Sequence, residues 1–433
     1  MTEAQTRKRG RRTGRLWVVP PGLAVGDEPF AGWRVLDEVH ADVGVTLWQF
    51  MRDVELWATS APEARARLFA PGMAQRRRER VGALGPLREL RLPLESIGRA
   101  IEGRSPNAGA ELTRACEVVS RWAENNGLPR TALAFAQSAA LATPDQPGPA
   151  LAVGLLARRN AEYRRAETWF RRALGLARRA DDWRHYGRAC LGLGTLYRQR
   201  GDYPTARNWY IRALRVARRR ALWDVRPLAM HDLFCVAANG GHDDEAEGWA
   251  ERAFKAYGPR HPRLVTLAHD VARFWLRHQR YDEALRVFRA VLDHVGRTAE
   301  RRLVASNMAR AAAGLGDRLT FGAMWAETWR LVDEFEDREA VAQALISLAE
   351  GAAVLGDPDR GQLAASYALR LAIQRNEAEQ RLAAEQVLLS LRTVRMGVAT
   401  ARPPEPAEER TEPDFAEFLV DALRVELAAN LAD

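Results

Sequence analysis

The 433-residue sequence predicts an all-α chain built as a stack of about seven helical hairpins. Three observations carry that expectation. The first is the stretch Leu193–Leu214, LGTLYRQRGDYPTARNWYIRAL. Leu193, Gly194 and Tyr197 return to one side of a 3.6-residue turn, Gly201-Asp202 interrupts, and Tyr203, Ala206, Tyr210, Ala213 and Leu214 repeat the spacing on a second helix. Gly194, Ala206 and Ala213 are small where two helices would approach closely. The second observation is recurrence. Positions equivalent to Ala206 stand at Ala132, Ala166, Ala246, Ala284, Phe321 and Gly361, in steps of 34, 40, 40, 38, 37 and 40 residues. A period in that range is the mark of a solenoid. The third is the residue five before each marker: Gly127, Ala161, Gly201, Gly241, Gln279, Gly316 and Gly356, five of the seven being glycine. A helix stop favours a residue that tolerates positive φ.

Residues Leu193, Gly194, Tyr197, Gly201, Tyr203, Ala206, Tyr210 and Ala213 resemble the tetratricopeptide repeat, with Pro144 where the first copy should end. The resemblance covers roughly residues 114 to 377. It is fullest in the third copy and poorest in the last two, where HEAT-like or unclassified hairpins remain alternatives. Steps near 40 exceed the 34 usual for the family, so longer helices are expected, as in repeats of bacterial sensor and regulator proteins. The resemblance implies a right-handed α-solenoid, a non-catalytic scaffold or adaptor, and a concave groove lined by the first helix of each hairpin.

The remaining elements follow in order. Residues 1–14, with Arg7, Lys8, Arg9, Arg11 and Arg12, form a basic arm expected to be disordered. Residues 15–105 are a helical head: Val43, Leu47, Phe50, Met51, Val54 and Trp57 recur at threes and fours, Pro62 to Phe69 is a second amphipathic piece, and residues 73–102 are helix broken near Gly85-Pro86 and Leu92-Pro93. The array occupies 106–397, ending in a capping helix over Glu377 to Val394 with Leu382, Val387, Leu388 and Leu391 inward. Residues 398–413 are a proline- and glutamate-rich linker. In 414–433 an acidic amphipathic helix carries Phe415, Phe418, Leu419, Ala422, Leu423 and Leu427 on one stripe.

Composition excludes several classes. A chain 47% hydrophobic and 28% charged is ordinary for a globular protein. No run approaches the roughly 18 apolar residues of a membrane span. Arg11-Arg12 is followed by only the short apolar run Leu16 to Val19 before Pro20, too short for an export signal. Cys116, Cys190 and Cys235 show neither a disulfide framework nor metal spacing, and a reducing cytoplasm is the simplest setting. No catalytic motif or cofactor loop is present. A metal is not expected either, because no two of the eight histidines stand three or four residues apart on a helix face with a carboxylate in ligand spacing. His242-Asp243-Asp244 reads as helix capping.

The net charge is +9, and all but Lys8 and Lys255 of the basic side chains are arginine, a bias that genome composition explains at least as well as function. Residues 151–220 hold 18 arginines against five acids. Carried onto this sequence, the family's groove face comprises Arg158, Arg159, Arg188, Thr195, Arg198, Gln199, His231, Asn239, His269, Arg273, Arg277 and Arg310. Guanidinium groups so placed favour carboxylates through bidentate bonds, so an acidic peptide or protein segment is the expected partner. A sensor-regulator shifted by a peptide or small ligand, with nucleic-acid contact, is the second expectation. From Pro403 onward nine acids face only Arg410 and Arg424. That tail is expected to plug its own groove or to self-associate with another copy, although a packed structural helix or a recruiting tail suits the same residues.

Overall fold

The computed structural model describes residues 33–39, 41–69, 71–82, 88–334, 340–375, 377–395 and 414–430. The basic arm and the linker lie outside them. The described residues form 21 helices and no strand. No helix among them is long and apolar enough to cross a membrane. The chain divides into two compact units, residues 1–229 and 230–433.

Unit 1 begins with α1 (Trp33–Glu38), α2 (Ala41–Thr59), α3 (Pro62–Leu68), α4 (Pro71–Gly82) and α5 (Arg88–Ile101). Three hairpins follow: α6 (Ala108–Asn125) with α7 (Pro129–Ala142), α8 (Pro147–Arg159) with α9 (Tyr163–Arg179), and α10 (Trp183–Gln199) with α11 (Tyr203–Arg219). The next helix, α12 (Val225–Asn239), contains the division between units. Leu47, Phe50, Met51 and Val54 of α2 are buried in one core with Leu90, Leu94 and Ile97 of α5 and Leu112, Cys116 and Val119 of α6. The carboxylate of Glu38 accepts the backbone amides of Arg130 and Thr131 at 2.9 and 2.8 Å, so the head caps the N-terminus of α7.

Two expectations for the head are corrected. Helix α5 runs through Pro93, which forfeits its amide bond to the preceding turn, while Leu90, Leu94 and Ile97 keep their shared buried face. Of the second amphipathic piece, none of the residues of α3 is buried and only Phe69, just past its end, enters the core.

Unit 2 continues with α13 (Asp243–Tyr257), α14 (Leu264–Arg277), α15 (Tyr281–Leu292), α16 (Thr298–Gly314), α17 (Arg318–Asp333), α18 (Val341–Val354), α19 (Pro358–Gln374), α20 (Ala378–Arg395) and α21 (Phe415–Asn430). Its hairpins pair α12 with α13, α14 with α15, α16 with α17 and α18 with α19. In α20 the inward residues are Ala384, Val387 and Leu391, whereas Leu382 is 54% exposed, correcting its assignment to the inner face. Helix α21 docks on α14 and α15. Ala416, Leu419, Ala422 and Leu423 are buried, Phe415 meets Phe254 and Trp275 edge-on, and Asp414 pairs with Arg286 at 2.6 Å, while Phe418 stays half exposed.

The marker residues Ala132, Ala166, Ala206, Ala246, Ala284, Phe321 and Gly361 are all buried in the second helices of their hairpins. All seven turn residues have positive φ, from 59° at Ala161 and Gln279 to 77° at Gly201. In three copies the turn glycine precedes an aspartate that caps the second helix: Asp202, Asp317 and Asp357 accept the amides of Thr205, Thr320 and Arg360. In the fourth copy His242 holds the cap position without a side-chain bond, and Asp243 and Asp244 sit in the first turn. There the acids act through the helix dipole rather than as caps.

Candidate functional site

Within unit 1 the first helices α8 and α10 carry six of the residues expected to meet a partner. Arg158 is half-buried and already engaged within the chain; Arg159 is exposed and pairs with Glu124 of α6. Helices α6 and α8 flank a cleft of ≈ 300 Å³ lined by Glu117, Arg121, Glu124, Leu155 and Arg159. On α10, Arg184 and Arg188 converge on one oxygen of Asp224, at 2.7 and 3.3 Å, with side chains 53% and 47% exposed. Arg198 is half-buried and Gln199 is exposed at the helix end. Thr195 is used internally. Its hydroxyl lies 3.0 Å from the Leu191 carbonyl and 3.1 Å from the Tyr210 hydroxyl, tying α10 to α11, so it is not offered to a partner.

A second arginine pair shares a carboxylate nearby. Glu167 accepts from Arg171 at 2.9 Å and from the Tyr197 hydroxyl at 2.8 Å, and Arg200 stands at 3.4 Å. Burial alone would raise the Glu167 carboxyl, but these bonds hold it below the usual range. Tyr197 thus has a polar role that its position in the repeat pattern does not disclose.

In unit 2 the arrangement differs. Arg310 pairs with Glu350 at 2.6 Å, Arg277 donates to Asn239 at 3.3 Å, and Arg273 is exposed. Burial, and then the neighbouring Arg273, pulls the Arg277 guanidinium down from its ordinary value. His231 is not on an open face. With its side chain 7% exposed, it sits between the Tyr257 hydroxyl, 3.2 Å from Nδ1, and Asp270, whose Oδ2 is 3.1 Å from Nε2. Cys235 Sγ lies 4.0 Å from the same carboxylate oxygen, and His269 Nδ1 is 3.6 Å from the other. Burial pulls the imidazole down, yet the bonds to Asp270 and Cys235 carry it up to about 10. Asp270 moves the opposite way: burial raises it, and the two histidines hold it far below the carboxylate range.

The spacing between histidines alone does not reveal this cluster. The signal was there in two forms. His231 and Cys235 stand four apart on α12, and the pair His231-Asp232 returns one repeat later as His269-Asp270, so a carboxylate from the next first helix comes alongside.

A family model for the tetratricopeptide repeat matches residues 148–219, which is α8 through α11. Residues 148–219 are tetratricopeptide repeats. Repeats of this kind build protein-interaction scaffolds. A DNA repair protein RecO of Methylorubrum populi is 40% identical over 65 residues, covering 14% of this chain and 26% of that protein. The match therefore spans about a quarter of the curated relative's length. Among solved structures, BtubC from P. vanneervenii is 18% identical with a TM-score of 0.40, covering 52% of this chain and 90% of that one. A Rap protein complexed with competence and sporulation factor is 10% identical with a TM-score of 0.41, covering 83% and 99%.

Proposed function

We propose that this tetratricopeptide-repeat chain is a non-catalytic adaptor that holds an acidic, carboxylate-bearing segment of a protein partner against α8 and α10. The convergence of Arg184 and Arg188 on a single oxygen of Asp224 carries the reading. Each guanidinium has five N–H donors, and one carboxylate cannot use the ten that two arginines supply. A second carboxylate arriving from a partner would find donors in the fork geometry that suits it. Arg171 and Arg200 around Glu167 repeat the same excess. Exposed pairs of this kind contribute only about 0–1 kcal/mol each. Affinity must then come from several pairs together, with apolar anchoring in the cleft beside Leu155. The positive field of residues 151–220 would mainly raise the encounter rate.

The test is fluorescence anisotropy of a labelled glutamate-rich peptide with interspersed leucines, titrated with the full chain beside a glutamine analogue. Binding should favour the glutamate peptide and weaken roughly tenfold in R159A/R188A, each lost charged contact being worth about 0.5–1 kcal/mol. Equal binding of both peptides, or indifference to the double substitution, would sink the proposal. Affinity purification with and without nuclease separates a protein partner from nucleic acid, whose binding also falls steeply with salt.

A further inference from the structure

The cluster around Asp270 holds a set of donors that the peptide-binding face does not use. Among the described residues, His231, Cys235 and Asp270 place an imidazole nitrogen, a thiol sulfur and a carboxylate oxygen all within 4.8 Å of one another. We propose that His231 Nε2, Cys235 Sγ and Asp270 Oδ2 form a binding site for a divalent ion of the zinc class.

The donor types argue for that class. Calcium and magnesium take oxygen ligands, and copper(I) prefers sulfur alone, whereas a mixed imidazole, thiolate and carboxylate set suits zinc and its borderline neighbours. The separations agree with this. Ligands about 2.0–2.3 Å from a tetrahedral ion lie about 3.3–3.8 Å apart. The 3.1 Å from His231 to Asp270 and the 4.0 Å from Cys235 to Asp270 bracket that range, and the third separation is within 4.8 Å.

The surroundings are ordered for coordination as well. With an ion on Nε2, His231 would donate its Nδ1 proton to the Tyr257 hydroxyl 3.2 Å away, the outer-sphere arrangement that fixes a ligating histidine. His269 contacts the Asp270 oxygen that His231 does not, and so orients the carboxylate from its far side. Tyr257 is itself held by the ring of His261, with centroids 4.4 Å apart. Asp270 keeps 29% of its side chain exposed, giving an ion a route inward. The charges also balance. A Cys235 thiolate and the Asp270 carboxylate together carry the two negative charges that neutralise a divalent ion. Three protein donors leave one tetrahedral position open, as in an exchangeable rather than a sealed site.

The experiment uses the full chain, stripped with chelator and titrated with cobalt(II) as the spectroscopic probe, followed by zinc in competition. One equivalent of cobalt should bind with a thiolate-to-metal charge-transfer band that zinc abolishes. C235S should remove the band and C190S should leave it, while Y257F should keep it but weaken cobalt binding by about 10- to 100-fold. Circular dichroism shows which variants remain helical; if C235S does not fold, D270N takes its place and must lower the affinity at least as far as Y257F. A helical wild-type chain with no band, or a band that persists in C235S or an affinity unchanged in D270N, overturns the proposal.

Discussion

Replacing Gly194 by alanine should destabilise the chain, while the same replacement at Gly175 should stabilise it. Both glycines lie inside helices, where alanine is favoured by about 0.5–1 kcal/mol because the glycine backbone loses more freedom on folding. At Gly175 nothing lies within 4 Å of the added Cβ, so the helix preference acts alone. At Gly194 the Cβ would lie 2.4, 2.6 and 2.8 Å from three carbons of the Tyr210 ring. Carbon atoms pack best at roughly 3.5–4.0 Å, so the ring or the helix must retreat by about 1 Å. Tyr210 has nowhere to retreat: it is fully buried, and its hydroxyl is held by Thr195 at 3.1 Å. Overpacking of a rigid site costs about 1–3 kcal/mol, which outweighs the helix gain. We expect Gly194→Ala to lower stability by about 1–2 kcal/mol and Gly175→Ala to raise it by about 0.5–1 kcal/mol. Urea titrations followed by circular dichroism read both. Trimming the ring in Tyr210→Leu should relieve the clash, so the double variant with Gly194→Ala should lose less than the two single losses combined. If Gly194→Ala unfolds at or above the wild-type midpoint, or the pair is strictly additive, the close approach does not limit this hairpin.

Other substitutions test separate parts of the structure. Gln279 and Ala161 sit at φ near 59°, where a side chain costs about 1–2 kcal/mol, so glycine at either should stabilise by roughly 0.5 kcal/mol net of its entropy, and Gly201→Ala should destabilise by about 1 kcal/mol in the same urea titration. Asp414 caps α21 and pairs with Arg286, and its loss in Asp414→Ala should cost about 1–2 kcal/mol, seen as faster hydrogen exchange confined to α21. Burial raises the Asp414 carboxyl, but Arg286 and the amide of Glu417 outweigh it and hold the group below its ordinary value. A depressed carboxylate stabilises fully above its unfolded value near pH 4 and loses that contribution as pH falls through the folded value, so α21 should loosen on acidification below about pH 4. Burial pushes the Cys190 thiol up to about 12 and Cys116 higher still, so native labelling near pH 8 should leave both unmodified until the chain unfolds.

The hairpins were legible because their rules are local. A positive-φ turn needs only the backbone of one residue, and Ala161 and Gln279 could be placed there by register alone although neither is glycine. The seam of Ala206, Tyr210 and Ala213 follows from helix geometry, as does the closeness of Gly194 to Tyr210. Longer-range features were less legible. Pro93 reads as a stop, yet a buried face with partners on α2 and α6 carries the helix through it. Leu382 is apolar, but the 3.6-residue turn places it nearly opposite Ala384, Val387 and Leu391 on α20, and it is 54% exposed.

The candidate site divides along the same line. The excess of arginine on α8 to α11 is written in composition, and the repeat pattern assigns it to helices and faces. Which arginines are satisfied is not written there, because Asp224 and Glu167 reach them from neighbouring helices or loops whose rotamers depend on packing. The same holds for His231, which the repeat register puts on a first helix and only the tertiary structure buries between Tyr257 and Asp270. Sequence by itself determined the repeat, its turns and its charge, since each depends on residues within one or two helical turns. Tertiary structure alone decided which polar groups meet, since a bond between successive first helices depends on the spacing and rotation of packed hairpins, and no single hairpin encodes either.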